Sequence, residues 1–223
     1  MKFSQNGRTY SNACLKRILP LLNVTSVLNV SGWDDGDKEG GQYSDYFSQK
    51  VNKYEVSYFE NDYLRSDTDL SKMVINLEDI NYQAGEKFEL VFSHTVLEHV
   101  FDQQNAFRIM CGLAEKYVVG VVPMINVLHW EETYEDYWRF TPHGIRKLFE
   151  NNKFKLVHLE IGPRLSISQY IIFIGARNGV TDVSSLHLQE INSGKVGLFR
   201  ITDLLKIVVS RVLEKILKLQ VKS

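Results

Sequence analysis

The sequence predicts an α/β protein built on a mostly parallel sheet with helices on both faces. Short β-branched apolar runs alternate with segments of helical periodicity along most of the chain. The run Tyr117-Val118-Val119-Gly120-Val121-Val122-Pro123 is apolar on both faces, as a central strand covered on each side must be. Phe88, Leu90, Val91 and Phe92 form another buried run, broken by Ser93-His94-Thr95 and followed by an N-cap candidate at Asp102. A buried strand that opens at its carboxyl end into polar side chains and then a helix is where open α/β sheets place their ligands.

At 223 residues, with 44% hydrophobic and 12% aromatic content, the chain suits one α/β domain. Residues 1–180 are assigned to it and 181–223 to a C-terminal extension. A net charge of −1 gives no basic footprint, so nucleic acid is not expected as a partner. The charge is uneven, however: residues 198–223 hold six Lys/Arg against two Asp/Glu, leaving the body acidic. Cys14 and Cys111 lack a C-x-x-C partner and read as reduced core thiols. The first residues contain no apolar signal-type run, and no stretch of about 18 uncharged apolar residues follows. A cytoplasmic protein is expected.

In chain order, Asn12–Leu22 is predicted helical, with Pro20 distorting its last turn. Thr25–Val30 is the first strand, and between Asp34 and Asp45 the next loop carries five acids and one Lys. Such a loop invites calcium, but the spacing lacks the distant bidentate Glu of an EF-hand, so it reads as a solvated acidic loop. Tyr54–Phe59 is the second strand and Met73–Ile75 a short third. The crossover helix after Asp102 is expected to run from Gln103 to Lys116. Met124–Thr141 is long for a connection in a compact domain, and His129, Trp130, Tyr134, Tyr137, Trp138, Arg139 and Phe140 make it too aromatic for disorder. It reads as a lid over a ligand site. Thr141-Pro142 then starts a helix, with Thr as cap and Pro in the first turn. Phe154–Ile161 and Tyr170–Arg177 have no long helix between them and are predicted to pair antiparallel. Leu198–Leu219 is a basic amphipathic helix, suited to packing on the domain, to homodimerisation, or to an anionic membrane surface at which the protein would be peripheral.

Two stretches carry a family resemblance. VFSHTVLEHVFD resembles the fourth-strand signature of class I S-adenosylmethionine-dependent methyltransferases, and EDYWRFTPHGIRKLFE is similar to a segment after the fifth strand in one branch of them. NVSGWDDGDKEGGQYSDYF resembles a loop variant of methyltransferase-like proteins from bacterial glycan gene clusters. Over residues 10–178 the resemblance implies a Rossmann-like, seven-stranded sheet with an antiparallel last strand. It implies S-adenosylmethionine as cofactor and methyl transfer to a small-molecule or surface-polysaccharide glycan acceptor. The cofactor residues it implies are Asn29, Ser31, Gly32 and Trp33 after the first strand, Glu60 for the ribose hydroxyls, Asn76 and Leu77 beside the adenine, with Glu78 or Asp79 in place of Asn76 if the register is shifted, and Ser93 and His94 at the fourth-strand rim. Asn29 stands where the family carries an acid. His94 or His99 would act as base, with Tyr137 and Arg139 orienting the acceptor. Five positions separate the two histidines, not the i, i+4 of helical metal ligands, so no metal site is expected. A nicotinamide site is disfavoured because G-x-G-x-x-G is absent. The nearest D-x-D, Asp35-Gly36-Asp37, sits in the wrong loop for a glycosyltransferase. Asn29, Asn76 and the glycine-poor turn leave an alternative open, a catalytically degenerate protein of this fold that serves as a binding or scaffolding partner.

Overall fold

The computed structural model describes residues 7–30, 32–59, 73–126, 128–130, 134–162, 170–184 and 186. The predicted C-terminal helix and the candidates Ser31 and Glu60 lie outside the described residues.

Among the described residues six strands form one mixed sheet: β1 (Ser26–Asn29), β2 (Lys53–Val56), β3 (Phe88–His94), β4 (Ala114–Pro123), β5 (Phe154–Gly162) and β6 (Tyr170–Arg177). Their spatial order is β2-β1-β3-β4-β6-β5. β2, β1, β3 and β4 are mutually parallel, whereas β6 runs antiparallel to both β4 and β5. The predicted antiparallel pair is therefore present. Met73–Ile75 does not form the expected third strand; it contributes a single parallel bridge, Val74 to Tyr58. Two backbone bonds hold it, Tyr58 N–H to Met73 O and Ile75 N–H to Tyr58 O, both 2.9 Å. Val74 is exposed, whereas Ile75 is fully buried in the core.

Successive side chains on a strand face opposite ways, and here each face has its own apolar layer. Val118 and Val122 of β4 join Val91 of β3 under α2 (Gln103–Leu113) and α3 (Pro142–Asn151). Tyr117, Val119 and Val121 join Leu90 and Phe92 under α1 (Gly7–Ile18), to which Tyr43 and Tyr46 are added. Gly120 in the middle of β4 is required by packing, because a Cβ there would run into the Phe173 ring of β6.

Both predicted caps are made. Asp102 accepts from the Asn105 N–H at 3.0 Å and Thr141 from the Gly144 N–H at 3.1 Å. Several boundaries differ from expectation. α1 begins at Gly7 and stops at Ile18, where Pro20 sits in a 3-10 turn, Leu19–Leu21. α2 stops at Leu113, not Lys116. Its terminal carbonyls are taken by Arg177 at the end of β6, which donates to Cys111 O at 2.7 Å and Ala114 O at 2.6 Å. β3 continues through Ser93 and His94 because pairing to Gly120 and Val121 of β4 outweighs their polarity. Cys14 and Cys111 are free and buried.

Candidate functional site

Where the chain leaves β1 for β2 on one side and returns to β3 on the other, the strand ends part and a crevice opens. A cleft of about 950 Å³ occupies this place, within the range of roughly 300 to 1,000 Å³ common for small-molecule sites. It is walled by the ends of β1 and β3, by α1, and by the aromatic loop before α3.

The acidic loop after β1 is solvated only in part: Asp34, Glu39 and Asp45 are exposed, as its composition suggested, and two other acids are not. Asp35 and Asp37 are buried and act as internal anchors. Asp35 accepts from Asn29 Nδ2 at 2.8 Å, Tyr54 Oη at 2.6 Å and the Ser44 N–H at 2.9 Å. Asp37 accepts from Tyr46 Oη at 2.5 Å and from the Glu39 and Gly41 N–H groups. Burial pushes the Asp37 carboxyl up, but these donors outweigh it and hold it below its ordinary range. The loop thus wraps two carboxylates and packs onto the ends of β1 and β2. Gly32 is packed so close to the Asn29 amide that any Cβ would collide with it. Trp33, in the left-handed region at φ 50°, is 54% exposed and forms a wall of the cleft without plugging it.

At the end of β3, His94 is buried and stacked on the Tyr43 ring, 5.0 Å between centroids. Arg8 Nη1 donates to His94 Nδ1 at 2.6 Å. The proton therefore sits on Nε2, which lies 3.2 Å from Ser11 Oγ, and Ser11 passes its own hydrogen to the Arg8 carbonyl at 2.9 Å. Burial, and then the Arg8 charge, push the His94 pKa far down. The imidazole is neutral with its lone pair occupied, a positioning group for Arg8 more than a base. Thr95 follows in the left-handed region at φ 51°, an unusual place for a β-branched residue, and its Oγ1 accepts from Arg8 Nη2 at 3.1 Å.

The aromatic loop is fastened at both ends. The Tyr137 N–H donates to Glu98 O at 2.8 Å, and the Phe140 N–H to Pro123 O at 2.9 Å. Arg139 grips Asp136 with both Nη groups, and this guanidinium holds the Asp136 carboxyl down at about 2. The anion that Arg139 meets is thus the chain's own Asp136. Glu98, in the 3-10 turn Leu97–His99, is buried, and desolvation raises its carboxyl to about 8. Its Oε2 has no hydrogen-bond partner among the described residues. Burial likewise lowers the pKa of His99, whose Nε2 stands 4.0 Å from Glu98 Oε1, so near pH 7 the two face each other as neutral groups.

Of the sequence-predicted residues, Asn29, Gly32, Trp33, Leu77, His94, His99 and Tyr137 line one cleft. Ser93 is buried within the strand. The Asn76 Oδ1 caps its own turn, accepting from the Glu78 N–H at 2.9 Å, and Leu77 and Glu78 take the wall position instead. Arg139 does not line the cleft and is bound to Asp136. Arg8, Tyr43 and Glu98 were not singled out by sequence. Arg8 reaches His94 across 86 positions, a contact with no local signal. The Glu98 side chain lies inside VLEHV, where the sequence reads it only as a polar group satisfying nearby backbone.

No protein-family model matches the chain, and no curated protein matches its sequence. Among solved structures, it is similar to a chain of the complex between the Haloferax volcanii Trm112 methyltransferase activator and the putative methyltransferase. There the identity is 11%, over 77% of this chain and 90% of that one, with a TM-score of 0.54. It is also similar to an S-adenosylmethionine-dependent methyltransferase from Mesorhizobium loti, at 12% identity over 77% of this chain and 98% of that one, TM-score 0.51. A third, from Clostridium acetobutylicum, shares 8% identity over 79% of this chain and 94% of that one, TM-score 0.52. At these identities the likeness is one of architecture. The chain has the α/β, Rossmann-like fold of S-adenosylmethionine-dependent methyltransferases.

Proposed function

We propose that this chain transfers a methyl group from S-adenosylmethionine to a small-molecule or glycan acceptor. The observation that carries the reading is the open cleft at the parting of β1 and β3, kept clear by the inward-folded acidic loop. The residues present fit the cofactor. Leu77, Val96 and Val100 give one wall an apolar surface for a purine, and Glu78 lies beside them as an acceptor for its amine. Gly32 lets the backbone come close, and Arg8, fixed by His94, Tyr43 and Thr95, supplies a cation for the methionyl carboxylate. Glu60 remains the candidate for the ribose diol. The parallel bridge at Tyr58 supports reading Met73–Ile75 as the remnant of a seventh strand.

When bound, the cofactor supplies a methyl already activated on a sulfonium, so the protein's work is alignment and exclusion of water. Trp130, Tyr134 and Tyr137 on the opposite wall offer flat faces for an acceptor, and His99 stands between them and β3. With His94 committed to Arg8, His99 is the better placed base: its Nδ1–H donates to Glu135 O at 2.7 Å, leaving the Nε2 lone pair inward. A net charge of −1, with no basic footprint, supports a small acceptor over nucleic acid.

Titration calorimetry with S-adenosylhomocysteine and S-adenosylmethionine tests the reading. Saturable one-to-one binding, weakened by Arg8→Met, is the expected result. Absence of binding to either ligand overturns it and leaves the non-catalytic alternative.

A further inference from the structure

Glu98, His99 and His129 bring one ligating atom each to within 4.8 Å of one another at the edge of the cleft. We infer that they form a binding site for a first-row divalent transition metal, with Zn²⁺ as the natural probe. Three observations beyond proximity point to a ligand. Glu98 is 1% exposed, and its Oε2 lacks a hydrogen-bond partner among the described residues; a buried oxygen left in that state costs free energy that a cation would recover. Both imidazoles are oriented by acceptors behind them, as metal-bound histidines are. His99 Nδ1 meets Glu135 O at 2.7 Å, and His129 Nδ1 lies 3.3 Å from Asp136 Oδ2. With the protons drawn to Nδ1, each ring ligates through Nε2. Finally, this outer shell is itself fixed, since Asp136 is held by the Arg139 fork and by the His129 N–H at 2.9 Å.

Two imidazoles and a carboxylate suit zinc and its neighbours better than magnesium or calcium, which prefer oxygen alone. Zinc bonds of about 2.0 to 2.2 Å place tetrahedral ligands roughly 3.3 Å apart, so the cluster would close by about 1.5 Å from its 4.8 Å spread. His129 lies on the loop before α3, outside any helix or strand, where that adjustment is cheap. His99 and His129 line the cleft, so the fourth position opens onto it and would take an oxygen of whatever ligand occupies it. The site rests on this chain's own side chains but shares His99 with the methyl-transfer reading, and a bound metal would take that imidazole out of the role of base. The histidine spacing that argued against a metal was that of His94 with His99, and the fold instead pairs His99 with His129.

The test uses the full chain without a histidine tag, stripped with chelator and titrated with Zn²⁺ in the absence of S-adenosylmethionine. One equivalent is expected to bind, weakened at least 10-fold by each of Glu98→Gln, His99→Ala and His129→Ala. His143→Ala, at an exposed position of α3, should leave it unchanged. Co²⁺ should give a visible ligand-field spectrum that disappears in the same three variants. Circular dichroism confirms that each is folded, and should Glu98→Gln fail to fold, His129→Ala on the loop decides. No saturable Zn²⁺ binding, or binding that the folded variants leave intact, overturns the site. Because no cofactor is present, either result leaves the methyl-transfer reading to its own experiment.

Discussion

Arg8 Nη1 lies 2.6 Å from His94 Nδ1, joining the first helix to the end of the third strand at the floor of the cleft. The contact makes a cation and an imidazole depend on each other. His94 must be neutral to accept the bond, and Arg8 must be held to face the cleft. Arg8→Met is expected to weaken S-adenosylhomocysteine binding by about 10-fold or more, as loss of a charge-assisted contact does. Calorimetry of wild type against variant checks this.

The same pair sets a pH dependence. The folded-state pKa of His94 lies below its unfolded value near 6.5, because burial and the charges of Arg8 and Lys38 oppose protonation. Tyr43, Ser11 and Tyr170 also face the ring and offer it no negative charge at neutral pH. Below pH about 6.5 the unfolded chain binds a proton that the folded chain refuses. This contribution is therefore flat above that pH and declines on acidification, by at most ~1.4 kcal/mol per pH unit. Urea unfolding at pH 7.5 and 5.5 should show a larger loss for wild type than for His94→Gln. An equal loss in both would show that His94 titrates normally.

Gly32 lies against the Asn29 side chain at the end of β1. A methyl group at this position must displace the Asn29 amide and with it the bond to Asp35. Gly32→Ala is expected to cost about 1 to 3 kcal/mol, as overpacking does. It should abolish cofactor binding before it unfolds the chain. Thermal melts with and without S-adenosylhomocysteine separate the two effects.

Tyr54 and Asp35 test the buried anchor. Tyr54→Phe removes one donor to Asp35 and is expected to cost about 1 kcal/mol, whereas Asp35→Ala strands Asn29, Tyr54 and the Ser44 amide together and should cost about 3 kcal/mol or more. Denaturant titration gives both values. Near-equal losses would mean that the loop does not depend on the carboxylate.

Arg139→Lys keeps the charge beside Asp136 and loses the two-pronged grip on it. Cofactor affinity should stay within about 2-fold while acceptor turnover falls 10-fold or more, because a small displacement of positioning groups is costly to rate. Matched changes in both would place Arg139 in the fold generally and not in the lid.

What could be read from the sequence was what is local. The caps at Asp102 and Thr141 involve partners three residues away, and the apolar runs of β3 and β4 announce burial on both faces. The antiparallel β5–β6 pair followed from the missing crossover helix. Features that depend on distant partners were hidden. Asp35 and Asp37 read as solvent-facing because their composition does not reveal that Tyr54 and Tyr46 fold over them. The strand through His94 was truncated on paper because pairing to β4 cannot be seen in the polarity of Ser93 and His94. Glu98 and His129 are brought together by two loops, and nothing in either segment names the other.

Arg177 ends the last strand by bridging the carbonyls at the corner where α2 becomes β4. The strand that threads backwards into the sheet is thus tied at its far end to the corner beside it, so that truncating the Arg177 side chain would loosen helix, corner and strand together.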